Sequence, residues 1–404
     1  MLIFVPEKND TDTMDIFKNP VLTLLTRRER CTIPQAAEWL DLSIGTVTKL
    51  MGALIDAGYV EDLGPAESAS GRKPHLYGLR ADAGYFLGLD INDRFVNVGL
   101  LNFRGGMQRA RMLEDYDLYA PDAYERLVRI LKISLRDCYA AGRDVKGVCA
   151  CLPGRVNTAT GESHSFFSHT ERTLQDLLQE EAGIPLCLCN DTRAMTYGEL
   201  LQGAGAGYRD ILFLNVNWGL GLGIVVDGRV YGGKSGYAGE FGHMFGYDNQ
   251  IICRCGKRGC IETEISGQAL QRQLVNRIRG GETSILSERV LSSDKPLLLR
   301  EIMDAVAKED VLCIDAIEQI GIKLGQKTSG LINLFNPELI VVGGELAMTG
   351  DYLLNPMRMA VNKHAIQLVS QDTRICRSAL GMDAGLIGTC LVARSRYIGE
   401  AFEC

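Results

Sequence analysis

Near its start the chain repeats apolar residues at helical spacing. Ile33, Ala36, Ala37 and Leu40 fall three and four apart, and Pro34 suits a first-turn position. Asp41-Leu42-Ser43 breaks the pattern and sets Ser43 to cap a second helix. Its apolar positions Val47, Leu50, Leu54 and Ile55 recur at similar intervals. Gly58 ends that helix, and Tyr59 to Leu79 reads as two short strands around a polar loop. Helix, short turn, helix and hairpin predict a winged helix-turn-helix over residues 1–80.

From Ala81 the pattern turns to short apolar runs that end in polar or glycine-rich turns. The first two are Tyr85 to Ile91, with the acid Asp90 at its end before Ile91, and Phe95 to Leu101. Val145 to Leu152 leads into Pro153-Gly154, and Pro185 to Cys189 into Asn190-Asp191. Asp210 to Asn215 and Gly221 to Val226 are joined by Asn217-Trp218-Gly219-Leu220-Gly221, and Leu339 to Val342 opens on Gly343-Gly344. With helices between them, these strands predict an α/β body with a ligand cleft at the strand ends.

Composition narrows the class. At 404 residues, 46% hydrophobic and 23% charged with 45 glycines, the chain fits two or three α/β domains rather than a fibrous or disordered protein. No apolar run approaches a membrane span, and MLIFVPEKND turns acidic too early for a signal peptide, so a cytoplasmic protein without membrane association is expected. Thirteen cysteines, an odd number in a long chain, argue against a disulfide framework. A net charge of −7 gives no general affinity for nucleic acid, so DNA binding requires a local patch.

Such a patch exists. Ser43, Gly45, Thr46, Thr48 and Lys49, at the start of the second helix, are small or polar enough to approach base edges and phosphates. In the wing, Arg72 and Lys73 lie on a flexible basic tip, and Arg27, Arg28 and Arg30 precede the first helix. A helical protein–protein module is the competing reading, because acids and bases nearly balance here. The concentration of charge at the positions that would face a duplex favours DNA.

A second constellation lies between Tyr237 and Ser266. His243, Cys253, Cys255 and Cys260 are close enough in sequence to share one tetrahedral Zn2+, with Gly256 and Gly259 allowing the chain to fold around it. Incidental core cysteines are the alternative, since Cys-x-Cys is tighter than common finger spacing. Arg254, Lys257 and Arg258 make a poor setting for ordinary buried thiols. A metal there would also fix Glu240 and Glu262, which flank it.

Taken together, the basic wing, Pro153-Gly154, Asn190-Asp191, Ala238 to His243, the Cys-x-Cys-Gly-x-x-Gly-Cys-x-Glu run, Asn333 to Glu338 and Gly343-Gly344 resemble the ROK family of repressors, open reading frames and kinases, in its transcriptional-regulator branch. The resemblance implies an actin/hexokinase-like fold of two RNase-H-like lobes around a sugar cleft. The lobes would span 81–200, completed by a C-terminal helix at 381–404, and 201–380. It implies Gly154, Asn190, Asp191, Glu240, His243 and Glu262 as the sugar-binding residues, reading a monosaccharide or sugar phosphate. Carboxylates and an amide suit vicinal hydroxyls. Taken singly, each of these residues also has an ordinary loop or capping role.

In a sugar kinase of this family Asp191 would be the general base. Here, however, the first phosphate turn reads Asp90-Ile91-Asn92-Asp93-Arg94, in place of the family's Asp-x-Gly-Gly-Thr, and the second reads Gly219-Leu220-Gly221 without its hydroxyl. ATP and Mg2+ are therefore not expected. The expected protein is a sugar-responsive regulator, a repressor in preference to an activator, acting on a palindromic double-stranded operator as a homodimer or dimer of dimers, with lobe closure on sugar altering DNA binding. An ATP-dependent sugar kinase is the alternative. Arg193, one turn beyond Asp191, reads either as a surface residue or as a contact to an anionic ligand.

Overall fold

A computed structural model describes residues 20–66, 74–168, 171–293 and 295–400. The chain divides into two compact units, Met1–Met195 with Gly385–Cys404, and Thr196–Ala384.

The first unit opens with α1 (Pro20–Arg27), β1 (Cys31–Thr32), α2 (Ile33–Leu40), α3 (Ile44–Asp56), β2 (Val60–Pro65) and β3 (His75–Leu79). The local chemistry sets these boundaries. Thr32 caps α2 in a capping box: its hydroxyl accepts from Gln35 N at 3.3 Å while Gln35 Oε1 accepts from Thr32 N at 2.9 Å. Asp41 ends the helix in the left-handed region at φ 52°. Ser43 then caps α3, accepting from Thr46 N at 3.1 Å. The three helices pack together and bury Val21, Leu22, Leu25, Ala36, Val47, Met51 and Leu54. Their strands form a small antiparallel sheet in the order β1-β3-β2.

The rest of this unit is β4 (Tyr85–Ile91), β5 (Val96–Asn102), β6 (Met107–Leu113), α4 (Ala123–Ala140), β7 (Val145–Leu152), the short pair β8 (Val156–Asn157) and β9 (Glu162–Ser163), α5 (Leu174–Ala182), β10 (Leu186–Asn190) and the start of α6 (Asp191–Gln202). Its five-stranded sheet runs β10-β7-β4-β5-β6. β4, β5 and β6 are antiparallel, whereas β7 and β10 run parallel to β4.

The second unit holds β11 (Ile211–Val216), β12 (Leu220–Val226), β13 (Arg229–Val230), α7 (Gly267–Arg279), α8 (Ser287–Leu291), α9 (Leu299–Ala307), α10 (Val311–Phe335), β14 (Leu339–Gly343), α11 (Asp351–His364), α12 (Gln367–Ser370) and β15 (Arg374–Arg377). Its sheet, β13-β12-β11-β14-β15, repeats the first in order and direction: three antiparallel strands, then two parallel to the first. The two units thus share one topology and have separate apolar cores.

The last helix, α13 (Ala384–Tyr397), belongs to the first unit from Gly385 onward. Strand glycines admit it. A Cβ on Gly88 would stand 2.6 Å from Cys390 Sγ, and one on Gly99 2.8 Å from Leu386 Cδ1, so larger residues would push the helix off the sheet. The N-terminal helices and strands are anchored here. Arg394, 2% exposed, donates to the carbonyls of Phe103 at 3.3 Å and Thr26 at 3.5 Å. Arg27 Nε and Nη2 both reach Glu400 Oε1, at 3.0 and 2.9 Å. The Tyr59 and Tyr397 hydroxyls meet at 3.3 Å. Arg104, in the β5–β6 turn, donates to the Leu79 carbonyl at 2.9 Å and pairs with Glu61.

Candidate functional site

The polar residues singled out in the sequence fall into three groups, each of which can be built from its own elements.

The first lies in the second unit. A 3-10 turn at Phe241–His243 presents His243, and a loop returning through Cys253, Cys255 and Cys260 closes on it through the bridges Phe245–Cys260 and Ile252–Arg258. Gly256 and Gly259 take positive φ, 84° and 72°, as the tight loop demands. His243, Cys253, Cys255 and Cys260 bring their ligand atoms within 4.8 Å of one another. Cys255 Sγ is 3.6 Å from Cys260 Sγ, and His243 Nδ1 is 3.4 Å from Cys253 Sγ. A tetrahedral Zn2+ with ordinary Zn–S and Zn–N bonds holds its ligand atoms about 3.5–3.8 Å apart, so the donor set fits a metal ion of this kind. Burial pushes the Cys253 thiol well up. Burial also raises the Cys255 thiol, but the Lys257 backbone N–H and the neighbouring thiols outweigh it and leave that thiol below its ordinary value.

Two carboxylates frame the cluster. Glu262, buried in the 3-10 turn Ile261–Thr263, places Oε1 2.9 Å from Cys253 Sγ, 3.5 Å from His243 Nδ1 and 3.7 Å from Arg254 Nε. Glu240, exposed, lies 3.8 Å from His243 Nε2. With Nδ1 turned to the sulfurs, Nε2 is the ring nitrogen left for a ligand on the Glu240 side.

The second group belongs to the first unit, at the C-terminal ends of β7 and β10. Asn190 closes β10, and its amide donates to the Gly154 carbonyl at 2.9 Å and to Asp191 Oδ1 at 2.8 Å. Asn190 Oδ1 accepts from Arg193 N at 3.1 Å, and Asp191 Oδ1 from Thr192 N at 2.7 Å, so both side chains also organise the first turn of α6. Arg193 is not a surface residue. It is 4% exposed, with Nη2 donating to the Val156 carbonyl at 2.9 Å and Nε unpartnered. It braces the segment after Gly154 against α6, a role its position in the sequence did not reveal.

The β4–β5 and β11–β12 turns, whose sequences depart from the kinase pattern, are each closed by their own hydrogen bonds. The β4–β5 turn closes through Asn92 N to Phe95 O at 2.9 Å, and Arg94 pairs with Asp117 rather than facing inward. Asp90 is buried, accepts from Asn97 Nδ2 at 3.0 Å and lies against Gly385 in the first turn of α13. Burial raises its carboxyl, and the Asn97 hydrogen bond opposes the rise. At the β11–β12 turn, a Cβ on Gly219 would stand 2.9 Å from Arg254 Nη2 and 3.2 Å from Glu262 Oε2. A guanidinium and a carboxylate therefore both border that turn, and Arg254 Nε lies 3.7 Å from Glu262 Oε1.

The third group is the start of α3. Ser43, Ile44, Gly45, Thr46, Thr48 and Lys49 are exposed, whereas Val47 points into the core. The Ser43 and Thr46 hydroxyls bond each other at 2.8 Å, and Thr48 Oγ1 donates to the Ile44 carbonyl at 2.8 Å. Ile44 is 59% exposed, an apolar group amid hydroxyls that polarity alone did not single out. Arg28 stacks over the Trp39 ring at 5.0 Å. Arg72 and Lys73 lie outside the described residues.

Comparison with known proteins follows this division. The xylose repressor of Caldicellulosiruptor bescii is 26% identical over 94% of this chain and 96% of its own length. A glucokinase of Halalkalibacterium halodurans is 32% identical, but over 61% of this chain and 75% of its own. The crystal structure of a ROK family transcriptional regulator, a homologue of the E. coli MLC protein, superposes with a TM-score of 0.79 at 26% identity, covering 96% of this chain and 98% of that one. The sequence profile of the ROK family matches residues 102–396, well over half of the chain, and the chain belongs to that family.

Proposed function

We propose that the chain is a sugar-responsive transcriptional repressor of carbohydrate uptake or catabolic genes, acting in the cytoplasm as a homodimer on a palindromic operator. The observation that carries this reading is the exposed set Ser43, Ile44, Gly45, Thr46, Thr48 and Lys49 on a capped helix, followed by a β hairpin. In a helix-turn-helix such residues lie in the major groove, where hydroxyls and a lysine meet phosphates and base edges and Ile44 suits a thymine methyl. Repressors similar along the whole chain support the same assignment.

Asn190 and Asp191, with Gly154 behind them, and Glu240, His243 and Glu262 are the sugar-reading residues, and the effector is a monosaccharide or its phosphate. A structural Zn2+ on His243, Cys253, Cys255 and Cys260 holds the imidazole and Glu262 in register. When bound, the metal supplies charge and geometry and no redox or hydrolytic chemistry. The effector can shift operator affinity only by its differential affinity for two states of the protein. The anchoring of α1 by Arg394 and Glu400, and of Tyr59 beyond α3 by Tyr397, ties the DNA-reading helices to α13 and so to the unit that carries Asn190, and a change there reaches α3 without a slack linker.

A second reading, sugar kinase, is favoured by the glucokinase similarity and by Asp191, which would be the general base. The altered turn sequences, Asp90 to Arg94 and Gly219 to Gly221, count against it. Incubation with ATP, Mg2+ and a sugar panel, alongside operator gel shifts, decides between them. Operator binding relieved by one sugar and no phosphorylation supports the repressor. Turnover abolished by Asp191→Ala, without operator binding, overturns it.

A further inference from the structure

Outside these groups, the first unit has a cavity of about 180 Å³ between α4 and the free edge of its sheet. β6 is the edge strand, and alternation along it turns Arg109, Arg111 and Leu113 to the same face. Leu87, Val98 and Leu100 of the neighbouring strands form the floor, and Ile130, Ile133 and Cys138 of α4 the wall. Arg109, Arg111 and Arg129 stand exposed at its rim. Asp137 is the acid there, and it lies 4.0 Å from Arg109 Nη1 and 3.8 Å from Arg136 Nη2. Among the described residues, no carboxylate lies within ion-pair distance of Arg111 or Arg129, and Ser134 adds a hydroxyl beside them.

An apolar hollow with two uncommitted guanidinium groups at its mouth is complementary to one class of molecule. We propose that this cavity binds a small organic acid with an aromatic or branched apolar body, its carboxylate held by Arg111 and Arg129. Size fixes the body. An apolar cavity of about 150 Å³ accommodates benzene, so this one takes roughly six to eight carbons and excludes a long acyl chain or a sugar. Arginine favours a planar carboxylate through bidentate hydrogen bonds, and at the exposed rim that geometry rather than burial makes the pairing. The site is independent of the sugar-reading residues. It is nonetheless connected to DNA binding: β6 follows directly from the turn in which Phe103 accepts from Arg394 and Arg104 holds Glu61 and Leu79. A bound acid therefore braces the strand next to the anchor of the DNA-reading helices and supplies a second chemical input.

Phenylacetate is the probe and phenylacetamide its neutral isostere, titrated into the full-length protein by calorimetry. The acid is expected to bind with a Kd of about 0.1–1 mM, and the amide at least about tenfold more weakly. The double variant Arg111→Gln/Arg129→Gln is expected to lose acid binding, with its melting temperature and its response to the effector sugar unchanged. Ile133→Trp, which fills the hollow, should lose binding of acid and amide alike. No binding up to about 10 mM, or equal binding of acid and amide, overturns the proposal. So does undiminished binding to the double variant. If the acid does not bind and the double variant instead changes the molar mass in light scattering, the face is an interface between copies of the chain and the proposal fails.

Discussion

The Cys253 thiol lies 2.9 Å from Oε1 of Glu262, so a candidate metal ligand and the carboxylate proposed to read the sugar are direct neighbours in the same loop. Any ion that draws Cys253 into a tetrahedron also sets the position of Glu262. Cys255→Ser is therefore expected to lose bound zinc, read by elemental analysis, and to weaken sugar binding at least about tenfold in the same preparation, because the loop's order derives from the metal. Full sugar affinity in metal-free protein would separate the two roles.

Glu262→Ala tests the carboxylate alone. Removing a buried hydrogen-bonding partner of a sugar hydroxyl costs about 1.5–3 kcal/mol, roughly ten- to a hundredfold in effector affinity. Apo operator binding in gel shifts should stay within about twofold of the parent, since Glu262 belongs to the second unit and α3 to the first.

Lys49 is exposed and makes no ion pair among the described residues, so it is free to meet a phosphate. Lys49→Ala is expected to weaken binding to all duplexes alike and to lower the slope of log K against log salt by about one. A loss confined to the operator sequence would instead make Lys49 a base reader.

Asp310 caps α10 and is 7% exposed, accepting from Ile285 N at 2.7 Å, Cys313 N at 3.0 Å and the Ser284 hydroxyl at 3.0 Å. Burial raises its carboxyl, but those donors outweigh the rise and leave it below the ordinary value of 3.8. The sign follows: an acid depressed by folding stabilises the protein above its unfolded pKa, and that contribution is lost as pH falls through the folded value. Asp310→Ala is expected to cost about 1–2 kcal/mol at neutral pH, and the gap should narrow only below about pH 4, as followed by thermal melts.

Much of this was legible in the sequence because local chemistry set it. Ser43 and Pro34 marked their helix starts, and the apolar runs before Pro153, Asn190 and Gly343 are the strands β7, β10 and β14. The Cys/His spacing pointed to a cluster that tertiary folding assembles. Short-range patterns did not reveal what depends on distant partners. The Thr32–Gln35 capping box lies just ahead of the apolar run that starts at Ile33, so helical periodicity does not mark it. Arg193 reads from sequence as either a surface residue or a contact to an anionic ligand, because nothing near it in sequence shows that Val156 carries its acceptor. Nor does periodicity indicate that β6 is an edge strand, the fact on which the Arg111 cavity depends.

The footing of α1 has a consequence for engineering. Thr26 and Arg27 are held by Arg394 and Glu400, and Tyr59 by Tyr397 and Phe103, so the first and last stretches of the polypeptide form a single joint. The segment proposed to read DNA is not a detachable head. A chimera that grafts residues 20–80 onto another body will lose its seat unless the β5–β6 turn and the end of α13 travel with it. Conversely, trimming the chain before Arg394 should be felt first at the opposite end of the sequence, as loosened operator binding.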